Sequence, residues 1–203
     1  MEFFRYHNGE LHCEDLSLTR LAAAVGTPAY VYSATALAHN YRRLAGAFRD
    51  VPHTICYSVK ANSNLAVLRL LARLGAGFDI VSGGELYRVL RSGGRLDKVV
   101  FSGVGKTIAE IDFALRKNIL FFNVESATEL ETLAARAQAL GRRVQVAIRV
   151  NPDVDPHTHR HISTGLRLHK FGVYWKQALP LCLRATALPA VEFVGIGCHI
   201  GSQ

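Results

Sequence analysis

No stretch of this 203-residue sequence approaches the ~18 consecutive apolar residues that a membrane span requires. Runs such as Val99-Val100-Phe101 or residues 119–122 are far too short. Met1-Glu2-Phe3-Phe4-Arg5 lacks the basic start and apolar stretch of a secretory signal. Cysteine is scarce: Cys13, Cys56, Cys182 and Cys198 form no CxxC pair and follow no regular spacing. Reduced, mostly buried thiols are therefore expected, not a disulfide framework. Glycine and proline follow no short period, which excludes a collagen-like or low-complexity chain. Basic residues outnumber acidic ones to give a net charge of +8, yet only Arg42-Arg43 and Arg142-Arg143 are adjacent. Without a polybasic cluster the excess reads as charge scattered over helix faces. These absences predict a soluble, cytoplasmic globular protein with no membrane and no nucleic-acid partner.

What is present is an alternation of short apolar strands and amphipathic helices. Strand candidates begin near Ile55, Phe78, Lys98, Ile119, Val144 and Val191, with helical patterns over 65–74, 85–91, 109–116, 127–140 and 176–187. In the first of these Leu65, Leu68, Leu71 and Ala72 share a face, while Arg69 and Arg73 point outward. Gly75, Gly93-Gly94 and Gly141 stand where C-caps belong. Thr107 and Ser126 suit helix N-termini, and Ser126-Ala127-Thr128-Glu129 is a capping-box pattern. Successive strand starts lie 20–25 residues apart, except for a last interval of 47. Units of nearly constant length, with no dominant dinucleotide loop after the first strand, favour a (β/α)8 TIM-type barrel over an open doubly wound sheet. About six βα units cannot close an eight-stranded barrel. Gly201-Ser202-Gln203 also opens a strand-to-helix turn with no helix after it. The expectation is an α/β chain carrying an incomplete barrel, the N-terminal part of a longer protein.

Several residues at strand ends carry chemistry. Lys60, within Tyr57-Ser58-Val59-Lys60-Ala61-Asn62-Ser63-Asn64, sits at the C-terminal end of an apolar strand, where barrel enzymes place their active sites. Partial desolvation between Val59 and Ala61 would free its amine for Schiff-base formation; taken alone, an ordinary solvated lysine is the stronger reading. Asp79 lies inside an apolar strand and needs a partner, as does Arg149 within Val146-Ala147-Ile148-Arg149-Val150. Glu85 supplies a second carboxylate at the same mouth, in a position that a helix N-terminus also favours. Gly105-Lys106-Thr107 mimics the end of a phosphate-binding loop, but the required glycine five residues earlier is Val100, so that reading fails. His157, His159, His161 and His169 lack a carboxylate or thiolate at metal-binding spacing and read as solvated loop residues, so no metal is expected. His199 ends a buried-type strand beside Gly201 and Ser202, where contact with a ligand is the better reading.

Six ordered blocks now combine: residues 57–64, residues 77–85, residues 101–107, Asn151-Pro152-Asp153-Val154-Asp155, Ile162-Ser163-Thr164-Gly165 with Lys170-Phe171-Gly172, and His199-Ile200-Gly201-Ser202-Gln203. From about Gly26 onward the chain resembles the diaminopimelate decarboxylase branch of the alanine-racemase-like, pyridoxal-phosphate-dependent decarboxylases. The resemblance implies a (β/α)8 barrel and a β-rich second domain, with residues 1–33 associated with that domain and 34–203 forming the partial barrel. It implies decarboxylation of meso-2,6-diaminopimelate to L-lysine and CO2. Lys60 would carry pyridoxal 5'-phosphate, His199 would stack on the pyridine ring, and Ser202 would lie beside it. Asp79, Glu85 and Arg149 would line the same mouth. The phosphate cradle, the glutamate facing the pyridine nitrogen and the substrate-binding arginines and tyrosines are expected beyond Gln203. So is a cysteine lent by the partner subunit of a homodimer with active sites at its interface. The 203 residues alone are thus expected to be inactive. The loop Thr158-His159-Arg160-His161 departs from relatives, which carry a proline and an aromatic there. Two other readings keep the cofactor: an ornithine, arginine or carboxynorspermidine-type decarboxylase, and a non-catalytic single-barrel protein of cofactor homeostasis.

Overall fold

Asn8-Gly9 separates two short runs of alternating polarity, and both residues have positive φ, as a tight hairpin turn requires. Around it, in a computed structural model describing residues 3–154 and 171–199, β1 (Phe4–His7) pairs antiparallel with β2 (Glu10–Cys13). Then β3 (Leu16–Ser17) completes a three-stranded sheet and leads into α1 (Leu18–Val25). The next helix, α2 (Ala34–Ala47), is capped by Ser33. Glu14 ties it to the small sheet by accepting from Ser33 Oγ at 2.6 Å and Thr35 N at 2.9 Å.

From there the strands and helices alternate as the periodicity predicts. In order they are β4 (Cys56–Ser58), α3 (Leu65–Arg73), β5 (Gly77–Ile80), α4 (Gly83–Ser92), β6 (Val99–Phe101), α5 (Ile108–Lys117), β7 (Phe121–Val124), α6 (Ala127–Ala139), β8 (Val144–Asn151), β9 (Val173–Tyr174), α7 (Trp175–Ala187) and β10 (Val191–Cys198). The sheet order is β4-β5-β6-β7-β8-β10, all parallel, with β9 added beside the end of β8. That order never reverses. A doubly wound sheet must reverse at its switch point, so the winding is that of a barrel, open here between β4 and β10 among the described residues. Right-handed crossovers all taken in one direction put the helices on one face.

Strand periodicity then divides the residues. Phe78, Ile80, Val99, Phe101, Phe122, Val124, Val146 and Ile148 are buried with the helix residues Leu68, Leu86, Ile111, Leu130 and Leu133. Each such side chain contributes about 1.5–3 kcal/mol by leaving water. Phe101 and Phe122 stack with ring centroids 5.6 Å apart. The alternate positions, Asp79, Val100, Asn123 and Arg149, turn to the opposite face, which the sheet curves around.

Three expectations change. The last strand is not buried along its length: β10 is exposed from Val194 onward except at Gly195, because β10 pairs only with β8 among the described residues. The cysteines are free but not mostly buried: only Cys13 is buried, Cys56 and Cys182 are half-buried and Cys198 is exposed. The pattern Ser126-Ala127-Thr128-Glu129 is half a capping box: Ser126 Oγ accepts from Glu129 N, but the Glu129 carboxylate turns to Glu125 N. The reciprocal box occurs at Thr107 and Glu110. No described helix is long and apolar enough to cross a membrane.

Gly77 opens β5 so close to its neighbours that a Cβ would lie 2.5 Å from Lys98 O and 2.8 Å from Cys56 Sγ. Gly77→Ala should therefore lose about 1–3 kcal/mol of stability. Gly46 in α2 has open space around it, so Gly46→Ala should gain about 0.5 kcal/mol through helix propensity. Urea midpoints of the two variants should move in opposite directions.

Candidate functional site

β4 ends at Ser58, and the chain turns at once through a single 3-10 turn, Val59–Ala61, that carries Lys60. Val59 is fully buried and pins the turn to the core, so its neighbour Lys60 projects outward. Beyond it Tyr57 Oη donates to Asn62 O at 3.3 Å, Asn62 Oδ1 accepts from Asn64 N at 3.0 Å, and Asn64 Oδ1 caps α3 through Ala66 N at 2.8 Å. The two asparagines thus shape the strand-to-helix turn that presents the lysine. Lys60 itself is exposed, as the solvated reading of the residue taken alone has it, and is not desolvated between Val59 and Ala61. The reason is geometric: the turn buries Val59 on one side and leaves the next residue facing the open mouth.

Across the inner face runs a hydrogen-bonded ladder. Parallel register sets Ser58 beside Asp79 and Asp79 beside Val100. Ser58 Oγ donates to Asp79 Oδ2 at 3.3 Å, Ser102 Oγ to Asp79 Oδ1 at 2.5 Å, and Asn123 Nδ2 to Ser102 Oγ at 2.9 Å. The partner that Asp79 needs is therefore a pair of hydroxyls from the strands on either side. Glu85, in the first turn of α4, accepts from Val81 N at 2.8 Å. Burial is the main cause raising its pKa above the usual carboxylate range; the Val81 bond opposes this, nearby Asp79 adds to it and Lys60 opposes it.

Arg149 finds its partner in Glu125, at 3.1 Å. His199, exposed at the end of β10, has its pKa pushed below the ordinary value first by partial desolvation, then by the cations Arg149 and Lys60, against Asp79 and Glu125. That coupling puts Lys60, Asp79, Arg149 and His199 around one space, with Glu85 beside Lys60 and Asp79. Five of the six residues singled out from the sequence converge; Ser202 lies outside the described residues, as do His157, His159, His161 and His169.

Ser102, Asn123, Glu125 and Glu129 were not among the residues singled out. The signal that marked Asp79, a polar residue in or just after an apolar strand, also marks Asn123 and Glu125 in Phe121-Phe122-Asn123-Val124-Glu125. Lys106, the lysine of the false phosphate loop, is an internal cation with its side chain 1% exposed. It donates to Gly103 O at 2.6 Å, Asn123 O at 2.9 Å and Glu129 Oε1 at 2.6 Å.

Pyridoxal phosphate needs a primary amine for its aldehyde, a flat group against its ring and fixed polar groups around it. An exposed lysine, an imidazole biased toward its neutral form and a doubly held aspartate meet those needs, so the residues fit that group.

Residues 35–203 match the family described as pyridoxal-dependent decarboxylase, pyridoxal binding domain. A diaminopimelate decarboxylase of Pseudomonas fluorescens is 52% identical over 204 residues, covering 100% of this chain and 49% of that protein. The solved diaminopimelate decarboxylase of Helicobacter pylori complexed with L-lysine matches with a TM-score of 0.89 at 45% identity, over 92% of this chain and 47% of that one. That of M. jannaschii, in co-complex with L-lysine, matches with a TM-score of 0.92 at 40% identity, over 100% and 48%. The chain spans about half the length of the curated relatives it matches.

Removing one member of the Lys106–Glu129 pair strands the other in the interior. Lys106→Met should cost about 3–5 kcal/mol in denaturant unfolding, and adding Glu129→Gln should return part of the loss. A single variant as stable as the parent would show the pair to be dispensable.

Proposed function

The chain belongs to the pyridoxal-dependent decarboxylases, and we propose that the protein it comes from decarboxylates meso-2,6-diaminopimelate to L-lysine and CO2. The observation that carries this reading is the convergence of Lys60, Asp79, Glu85, Arg149 and His199 on one mouth of a singly wound barrel. The identity of about half, over the whole chain, to proteins named for that substrate supports the choice of amino acid.

In this reading Lys60 is the amine that holds the cofactor's aldehyde carbon. When bound, pyridoxal phosphate supplies an electron sink for the pair left behind as a carboxylate departs. The rest is done by side chains. Asp79 cannot swing, because Ser58 and Ser102 hold both of its oxygens, so it presents a fixed negative charge beside the lysine. Glu85, with its raised proton affinity, can hold a proton on its carboxyl next to that pair. His199 offers a flat ring, and the same desolvation and cations that lower its pKa keep that ring neutral at pH 7. Arg149, held by its ion pair with Glu125, presents a guanidinium of fixed position in the wall. Ser202 keeps the place beside the cofactor that the sequence resemblance implies.

Residues 1–33 are proposed to belong with a second, β-rich domain. The exposed Val25, Tyr30 and Tyr32 beside the small sheet support that assignment by offering an apolar surface. The working enzyme is proposed to be a cytoplasmic homodimer with its active sites at the interface.

Borohydride reduction of the cofactor-loaded enzyme followed by peptide mapping should place the pyridoxyl group on Lys60; label on Lys106 or Lys170 would sink the assignment. His199→Asn should weaken cofactor retention and turnover together. The lowered pKa gives a sign as well: the neutral ring persists above it, so the part of cofactor retention owed to His199 should fail only below the ordinary histidine value of 6.5. In His199→Asn that acid limb should vanish, as dialysis across a pH series would show.

A further inference from the structure

One buried carboxylate in the mouth has no part in the chemistry above. Glu125 directly follows β7, and its side chain is 1% exposed. Its Oε1 accepts from Gly103 N at 2.9 Å and from Arg149 Nη1 at 3.1 Å, and its Oε2 accepts from Gly172 N at 3.1 Å. Both glycines have positive φ, +94° and +81°, and a Cβ at Gly172 would lie 3.0 Å from Arg149 O. The backbone therefore comes to the carboxylate from the turn after β6 and from the segment entering β9. A second layer stands behind it, because Glu125 N donates to Glu129 Oε2 at 2.9 Å and Glu129 is paired with Lys106.

Arg149 is held from two sides. Besides Glu125, its guanidinium lies 5.5 Å from the centroid of the Phe171 ring. Its register partner on β10 is Gly197, two residues before His199. A guanidinium on a long stem has many rotamers, and a buried carboxylate on one flank with an aromatic face on the other leaves it few. Being within the charge field of His199, its place matters to that ring.

We propose that Glu125 is a positioning residue, fixing the Arg149 guanidinium beside His199 so that its effect on turnover passes through Arg149. This rests on the reading that Lys60 and His199 hold the cofactor. The competing role is a clamp that merely joins three turns. The two differ in coupling: a clamp and an arginine would fail independently, whereas a residue acting through Arg149 adds nothing once Arg149 is gone.

The test is a double-mutant cycle in the whole enzyme with Glu125→Gln, Arg149→Met and the pair. The readouts are kcat and KM for meso-diaminopimelate, the visible absorption of bound pyridoxal phosphate, and the thermal midpoint. Glu125→Gln should lower kcat roughly tenfold to a hundredfold, the scale of a small misplacement at a reacting centre, with KM moving less than about threefold. The pair should be no slower than the slower single variant, and both single variants should share one spectral shift. Losses that multiply, or parental turnover in Glu125→Gln, would overturn the proposal, whatever the thermal midpoint does. Should Glu125→Gln fail to fold, Glu125→Asp enters the same cycle. One methylene shorter, it cannot reach Arg149 and both glycines, so a smaller loss, again absent on the Arg149→Met background, is expected. Borohydride mapping of the parent separates the two readings. Label away from Lys60 removes both, while label on Lys60 with multiplying losses removes only this one.

Discussion

A charge taken out of water must meet an opposite charge or a full set of hydrogen bonds, and the mouth of this barrel is built around that requirement. Among the described residues, Glu125 and Lys106 are its two most buried ionic side chains that form ion pairs, each 1% exposed. Satisfying them draws in Gly103 after β6, Asn123 on β7, Glu129 in α6, Arg149 on β8 and Gly172 just before β9. The surface turns of a parallel sheet have no ladder of their own at that end. Ionic groups supply the missing joins, and the space beside Lys60 inherits its shape from them.

The helix caps do similar work. Three consecutive turns read Ser82 to Glu85, Thr107 to Glu110 and Ser126 to Glu129, each with the hydroxyl accepting from the glutamate's own N–H. Only Glu110 folds back on its cap residue, and its other oxygen reaches Gly83 N in the preceding turn. Glu85 and Glu129 instead serve the residue one step before the cap, Val81 and Glu125. A local pattern worth about 1 kcal/mol in an isolated helix thereby joins neighbouring units. The same economy separates Lys106 from Lys60: one lysine is consumed by the frame, and the other is left to the solvent-filled mouth.

Function follows from which groups remain available after the frame is satisfied. Asp79 is spoken for by Ser58 and Ser102, and Arg149 by Glu125, so both present fixed charge without mobility. Lys60 and His199 stay accessible on opposite edges of the sheet, β4 and β10, and curvature brings them into one electrostatic neighbourhood. Under the proposed reading, that exposed amine and imidazole are the groups this part of the chain offers to the cofactor.

Sequence periodicity alone determined the alternating units, their boundaries to within a residue or two at most elements, and the barrel as the favoured winding. It could do so because apolar spacing and caps are local, set by residues within a few positions of each other. Lys60, Asp79, Glu85, Arg149 and His199 were legible for a related reason: a charged residue or a histidine at the end of an apolar strand stands out against its neighbours. The Asn8-Gly9 hairpin carried a signal of equal strength and went unused. Only the tertiary structure decided that Lys106 is structural and Lys60 exposed, that Glu125 is the partner of Arg149, and that Ser58 and Ser102 hold Asp79. Those pairings join residues 21–24 positions apart through parallel register and helix crossover. Nothing in the local sequence of either partner specifies which neighbour the sheet will bring to it.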